Sequence, residues 1–369
     1  LHARISANLA IIAVCARPYV AAAAQLGYRI AAFDIFNDVQ TRRFSLQSRA
    51  VRFQNGGFDA EDLWEQLITL LAPGTPVIYG SGLEIQPALL DRISERFLLM
   101  GNAGEVVDRV KQPRQFFGLL DELGIAHPDV RHKGDGGPEW LIKRVGGSGG
   151  THIREGDTLA PDEYFQRRID GKAVSVLCTS NGAETKVVGI NEQWTSPVRA
   201  QPYRFGGIVG NVRLPQDIES EMSNVAVRLA PMLGLRGLFS LDFIWSGERV
   251  LLLEVNPRLS ASFDLYAQAP LLEQHIHACQ GGGLYSLPSQ RLSRAAHILY
   301  TVEPLQVAGF NWPEWATDTP EADVQFAPGE PICTVQAEAA DAEGAKALVF
   351  ARARELDAQL RTFTRTPGK

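Results

Sequence analysis

The sequence predicts an α/β protein with a parallel sheet at its amino end and a mixed α+β region after it. Near the start, short apolar runs alternate with amphipathic stretches, the signature of parallel strands joined by helices. From about residue 105 the texture changes, and strand-like runs follow one another more closely. A third signal is an apolar hairpin around residues 238–256 that carries two carboxylates.

Taken in order, Ala10–Val14 reads as a buried strand and Pro18–Leu26 as an alanine-rich helix that Gly27 stops. Arg29–Ile35 is a second strand, followed by Asp38. Glu61–Leu71 is a helix and Val77–Tyr79 a strand running into Gly80-Ser81-Gly82. No GxGxxG follows the first strand, which argues against a Rossmann dinucleotide site. Pro113 suits the first turn of a helix, Pro113–Leu123, closed by Gly124. Strand-like runs cover Trp140–Val145, Ala173–Thr179 and Thr185–Ile190, with Thr151-His152-Ile153 also read as strand. Asp217–Leu233 is a helix, and Leu238–Trp245 pairs with Arg249–Asn256 around Ser246-Gly247-Glu248. The last part holds strands at His297–Val302 and Ile332–Ala337 and a helix at Ala342–Leu360.

The chain has 369 residues, 45% hydrophobic and 21% charged, which suits a globular protein of two or three domains. A net charge of −6 excludes a general nucleic-acid binder, which needs a basic footprint. The four cysteines stand apart from one another, as reduced thiols do in a cytosolic protein. No apolar run approaches the ~20 residues of a membrane span, and no signal-peptide pattern opens the chain. A cytoplasmic protein with neither membrane nor nucleic-acid partner is expected.

The hairpin carries the sharpest chemical signal. Asp242 and Glu254 fall opposite each other, and Asn256 shares a face with Glu254, because side chains alternate along a strand. Leu241, Phe243, Leu251, Leu253 and Val255 are expected on the other face. Facing carboxylates repel, and a hard divalent cation removes that cost. A solvated polar face is the plainer alternative. The segment Glu254-Val-Asn-Pro-Arg258, with an aspartate on the partner strand, resembles the signature of the ATP-grasp superfamily.

That resemblance implies an ATP-grasp fold with an amino-terminal parallel α/β domain over residues 1–104, an ATP-grasp domain over 105–290 with a flap at about 139–170, and a small β-rich carboxy-terminal domain over 291–369. It implies ATP and Mg²⁺ (or Mn²⁺) as cofactors, with Asp242, Glu254 and Asn256 as metal ligands. Lys111 and Lys143 would neutralise phosphate, and Gly146, Gly147 and Ser148 would cover it with backbone N–H groups. Gln166, Arg167 and Ile169 correspond to the linker that reads the adenine edge. The chain departs from the family pattern just beyond, with Ala173 where many members carry a ribose-holding glutamate. Arg258 is expected at the phosphates and Arg204 at the acyl substrate.

The activity implied is ATP-dependent ligation of a small-molecule carboxylate to an amine through an acyl phosphate. A bicarbonate-activating carboxylase or purine-type enzyme is a related alternative, and a catalytically silent nucleotide-binding module a third. Pro328–Val335 resembles the ligase and carboxylase branch. Asp34-Ile-Phe-Asn-Asp38, Tyr79-Gly-Ser-Gly-Leu-Glu84 and Gly101-Asn102 resemble proteins of tetrahydromethanopterin and methanofuran metabolism, similar to tyramine–glutamate ligase. A homodimer is the assembly allowed for. Other signals are set aside. His275, His277 and Cys279 follow one another at steps of two, which do not share a helical face, so zinc is not expected there. Ser148 and Cys178 lack a base partner, and Arg42, Arg43, Arg49 and Arg52 read as a solvated face.

Overall fold

A computed structural model describes residues 7–266, 270–288, 290–321 and 323–365. At the amino end, five strands form a parallel sheet in the order Gln47–Ala50, Ile30–Asp34, Leu9–Ile12, Pro76–Tyr79 and Leu98–Met100. Every residue of Leu9–Ile12 and Ile30–Asp34 is buried, as strands covered on both faces must be. Helix Arg17–Gln25 follows the first strand, with Pro18 in its first turn. Asp38 caps the short helix Val39–Phe44 by accepting from the Gln40 and Thr41 N–H groups, both at 2.9 Å.

The middle of the chain contributes two antiparallel sheets. A small one runs Ile153–Arg154, Trp140–Arg144, Glu163–Arg167, Val130–Arg131 and carries the glycine-rich turn at its edge. Strand geometry begins only at Ile153; Thr151 and His152 belong to the turn, because the left-handed Gly149 and Gly150 are still reversing the chain there.

The large sheet has eight strands, in the order Val250–Asn256, Arg236–Trp245, Lys172–Asn181, Thr185–Thr195, Phe205–Gly210, Ser293–Tyr300, Pro331–Ala339, Ala316–Thr317. Alternate residues of Lys172–Asn181 serve opposite faces. Val174, Val176 and Cys178 meet helices Pro113–Leu123 and Gln216–Leu233 through Phe116, Leu120, Met222 and Leu229. Leu177 joins Leu238, Phe263, Tyr19 and Val20 on the side of the amino-terminal sheet. Strands Ser293–Tyr300 and Pro331–Ala339 extend the same large sheet, and helix Ala342–Arg365 covers them through Ala345, Val349, Ala353, Leu356 and Leu360. No helix among the described residues is long and apolar enough to cross a membrane.

One expectation about the hairpin needs correction. Its register shifts between Asp242 and Phe243, so that Asp242 faces Glu254 while Phe243 faces Leu252. The extra residue, Leu253, makes a β-bulge that breaks strict alternation. Val250 and Leu252, rather than Leu251 and Leu253, therefore join Leu241, Phe243 and Val255 in the central core.

Candidate nucleotide and metal site

The hairpin presents its polar face under the small sheet. Asp242 and Glu254 are direct cross-strand partners. The Asn256 amide donates to Asp242 Oδ2 at 2.9 Å, and the Gln193 amide donates to Asp242 Oδ1 at 3.1 Å. Lys111 ends helix Gly104–Lys111 and brings Nζ to 3.3 Å from Glu254 Oε2 and 3.5 Å from Asn256 Oδ1. Arg258 donates Nε to Glu84 Oε1 at 2.6 Å and Nη2 to Asn256 Oδ1 at 3.1 Å.

Lys143 enters from strand Trp140–Arg144 and is buried, yet it makes no hydrogen bond or ion pair among the described residues. Burial pushes its ammonium below the usual lysine range, and the like charge of Lys111 adds to that, against the pull of Glu254 and Asp242. A buried, unpaired cation beside a lysine and two carboxylates suits an anionic ligand with a metal ion.

The two carboxylates respond in opposite senses. Burial, and then the charge of Glu254, push Asp242 up to about 7. Burial works the same way on Glu254, but Lys111, Lys143, His152 and Arg258 outweigh it and hold the group down at about 2. Among the described residues no three His, Cys, Asp or Glu side chains cluster closely enough to hold a metal, so Asn256 would have to supply the third donor.

The glycine turn is wedged between two parts of the fold. A Cβ at Gly150, whose φ is +73°, would sit 1.9 Å from the Tyr203 carbonyl, and Phe205 N–H donates to the Gly149 carbonyl at 3.0 Å. A Cβ at Gly147 would lie 2.2 Å from the His152 ring, which is half-buried over the turn with Nδ1 3.3 Å from the Ser148 carbonyl. Burial pushes His152 down to about 4, so its imidazole is neutral near pH 7.

On the next strand, Gln166 is buried and its Nε2 has no partner among the described residues, an orphan donor of the kind a ligand acceptor satisfies. The Arg167 N–H is engaged by the Asp129 carbonyl at 2.8 Å, and its guanidinium reaches Asp129 and Glu139. Ile169 lies just past the strand.

Arg204 stands apart from the carboxylate pair. It donates to the Ser196 and Gly329 carbonyls, both at 2.9 Å, and its guanidinium lies 3.6 Å from the Tyr300 ring centroid. It thus ties the segment behind the glycine turn to the carboxy-terminal strands. The helix Leu271–Cys279 turns His277 to solvent and His275 inward, where Nδ1 accepts from Leu238 N–H and Nε2 meets the Met100 carbonyl.

Sequence reasoning missed three residues here. Glu84 could have been found by asking what neutralises a buried Arg258. His152 was named only as a strand residue after the glycines. Gln193 carries no local signal, since a glutamine in a strand is unremarkable until its partner is known.

Comparison with known proteins matches this region. Residues 114–262 fit the family model of the ATP-grasp domain. The large chain of arginine-specific carbamoyl phosphate synthase from Bacillus subtilis is 22% identical over 218 residues, covering 51% of this chain and 21% of that protein. The chain thus spans about a fifth of that relative's length. Among solved structures, biotin carboxylase from Campylobacter jejuni superposes with a TM-score of 0.70 at 13% identity, over 92% of this chain and 89% of the other. N5-carboxyaminoimidazole ribonucleotide synthetase from Thermotoga maritima gives 0.67 at 14% identity, over 94% and 98%.

Proposed function

We propose a function from one premise, that the chain carries an ATP-grasp domain: it is an ATP-dependent ligase that joins a carboxylate to an amine. The observation that carries this reading is the convergence of Lys111, Lys143 and Arg258 on the Asp242–Glu254–Asn256 hairpin. In the reaction, a carboxylate oxygen attacks the γ-phosphorus of ATP, and the bond to the β-phosphate oxygen breaks to release ADP. The amine then attacks the acyl carbon, the bond to phosphate breaks, and the proton lost by nitrogen leaves to solvent.

Phosphoryl transfer of this kind needs positioning and charge more than covalent chemistry from the protein. Lys143, buried and unpaired, would bind the β- and γ-phosphates and hold its charge against them. Lys111, now spent on Glu254, would share that charge with the phosphates. The glycine turn, Gly146 to Ser148, would close backbone N–H groups over the same oxygens and exclude water. Gln166 and Ile169 are the linker positions left to meet the base, with the Arg167 N–H engaged elsewhere. Arg258, oriented by Glu84, would face the reacting oxygens. Asp242, Glu254 and Asn256 would hold Mg²⁺ or Mn²⁺, which when bound neutralises phosphate charge.

The substrates are read as small molecules and the assembly as a homodimer in the cytoplasm. The division of the chain at about residues 104 and 290 is part of the same reading. The finer assignment, an amide-forming step toward a tetrahydromethanopterin- or methanofuran-type cofactor, rests on the amino-terminal motifs alone.

The test is phosphate release in the presence of ATP, Mg²⁺, an acid and an amine. Release that requires both organic substrates supports the ligase; release that requires bicarbonate and no added acid identifies a carboxylase instead. Glu254→Gln should reduce Mg²⁺-dependent turnover by about a thousandfold while circular dichroism stays unchanged. Unaltered turnover in that variant refutes the metal assignment.

A further inference from the structure

The glutamine that reaches the Asp242–Glu254 hairpin from a distant strand has no role in the chemistry above. Gln193 lies near the end of strand Thr185–Thr195, two strands away from Asp242 in the large sheet. In the strand between them, Ser175 faces Asp242 on one side and Asn191 on the other. Side chains two apart share a face, so Asn191 and Gln193 both stand on the face that carries Asp242 and Glu254. Asn191 is spent on the fold. It is buried, donates to Ser175 Oγ at 3.3 Å and accepts from the Tyr266 hydroxyl at 2.8 Å. Gln193 instead crosses the intervening strand, and its Nε2 donates to Asp242 Oδ1 at 3.1 Å. Two strand spacings amount to about 10 Å, a gap that glutamine and aspartate together close and that asparagine, one methylene shorter, leaves open.

Each oxygen of Asp242 thus receives one amide, Oδ1 from Gln193 and Oδ2 from Asn256 at 2.9 Å. A carboxylate offers about four lone-pair positions, so about two remain for a further partner. Both donors are neutral. The cations of the site go elsewhere: Lys111 to Glu254 and the Asn256 oxygen, Arg258 to Glu84 and that same oxygen. No ion pair among the described residues reaches Asp242. The difference matters for a metal ligand. A lysine or arginine in place of Gln193 would fix the carboxylate and cancel its charge, whereas an amide fixes its direction and leaves the charge for a divalent cation.

We propose that Gln193 is a positioning residue for Asp242, holding Oδ1 so that the remaining lone pairs face the divalent cation. It acts through Asp242 and touches neither metal nor nucleotide itself. The role rests on the metal reading of the hairpin and is independent of which acid and amine are joined. Partners that orient a metal ligand in this way tune affinity by about 10- to 100-fold.

Manganese binding to the full chain tests this, read by electron paramagnetic resonance of Mn²⁺ in the presence of β,γ-imido-ATP. Gln193→Met, of similar length but without a donor, should weaken Mn²⁺ by about 10- to 100-fold with the melting temperature unchanged. Gln193→Asn keeps the amide and loses the reach, so it should weaken Mn²⁺ as well. Gln193→Lys keeps the reach and adds a charge, and it should bind Mn²⁺ no better than Gln193→Met. Calorimetry with β,γ-imido-ATP in EDTA should give the same affinity for Gln193→Met and the unaltered chain. Manganese affinity indifferent to Gln193→Met, full recovery in Gln193→Lys, or a loss of metal-free nucleotide affinity would each overturn the positioning role. An unaltered chain that binds no Mn²⁺ with the nucleotide would overturn the metal reading and this role together. Manganese binding that passes these tests in a protein without acid- and amine-dependent phosphate release would uphold the role of Gln193 and overturn the ligase reading instead.

Discussion

His275 shows how a residue that invites a functional reading can be spent on the fold. Its ring accepts from Leu238 N–H at 2.9 Å and meets the Met100 carbonyl at 3.0 Å, which requires the neutral form protonated on Nε2. Burial pushes its pKa from 6.5 down to about 4. A base whose folded pKa lies below its unfolded one contributes stability that is complete above about 6.5 and is lost as pH falls toward about 4. That contribution is about 3 kcal/mol by linkage. Urea denaturation between those limits should show the slope, and His275→Asn should flatten it; an unchanged slope would assign the acid sensitivity to other groups. At this scale much was legible. Lys111, Asp242, Glu254, Asn256 and Arg258, expected together from the hairpin and the resemblance, are linked by hydrogen bonds, and Lys143 is buried with none among the described residues. What stayed hidden were partners such as Glu84 and Gln193, because a pairing across 174 or 49 residues leaves no local trace.

Among the elements, the glycine turn has the least tolerance. Gly150 combines a left-handed backbone with backbone contact at 1.9 Å from any added Cβ, and the obstructing atom is a carbonyl that the neighbouring chain cannot withdraw. Gly150→Ala should therefore lift the turn from Tyr203–Phe205, raising the KM for ATP by about tenfold or more while the melting temperature stays nearly constant. Steady-state kinetics with a parallel thermal melt checks this; a normal KM would mean that the turn does not close over phosphate. Apolar periodicity located helices Ala60–Leu70, Pro113–Leu123 and Gln216–Leu233 to within a residue or two. Helix Pro87–Arg96 passed unnoticed, and the bulge at Leu253 reversed two expected facings. A bulge inserts one residue without any demand on side-chain type, so alternation alone cannot reveal it.

For the molecule as a whole, the contacts that matter most join distant parts of the chain. Arg258 and Glu84 form an ion pair whose side chains are 7% and 1% exposed, linking the hairpin to the loop after strand Pro76–Tyr79 of the parallel sheet. Asn102 adds a second tie, accepting from Arg236 N–H and donating to the Pro257 carbonyl, both at 2.8 Å, so one amide holds both feet of the hairpin. Glu84→Ala leaves the guanidinium buried without a counter-charge and should cost about 3–5 kcal/mol. Equilibrium unfolding measures that loss, and a change under about 1 kcal/mol would show that water reaches the arginine. The α/β character of the amino end and the mixed region after it were legible from the order of elements. The merging of the last strands into the central sheet was not, since strand order across a sheet is set by long-range pairing.

That merging has a consequence for any shortened version of the protein. Ser293–Tyr300 supplies the hydrogen-bonding partner of Phe205–Gly210, which is buried along almost its whole length. Removing the carboxy-terminal strands would not trim an appendage; it would uncover a long row of unsatisfied amides and carbonyls on an apolar ribbon. Such a fragment would seek its missing neighbour in another molecule, and its first property in solution would be self-association.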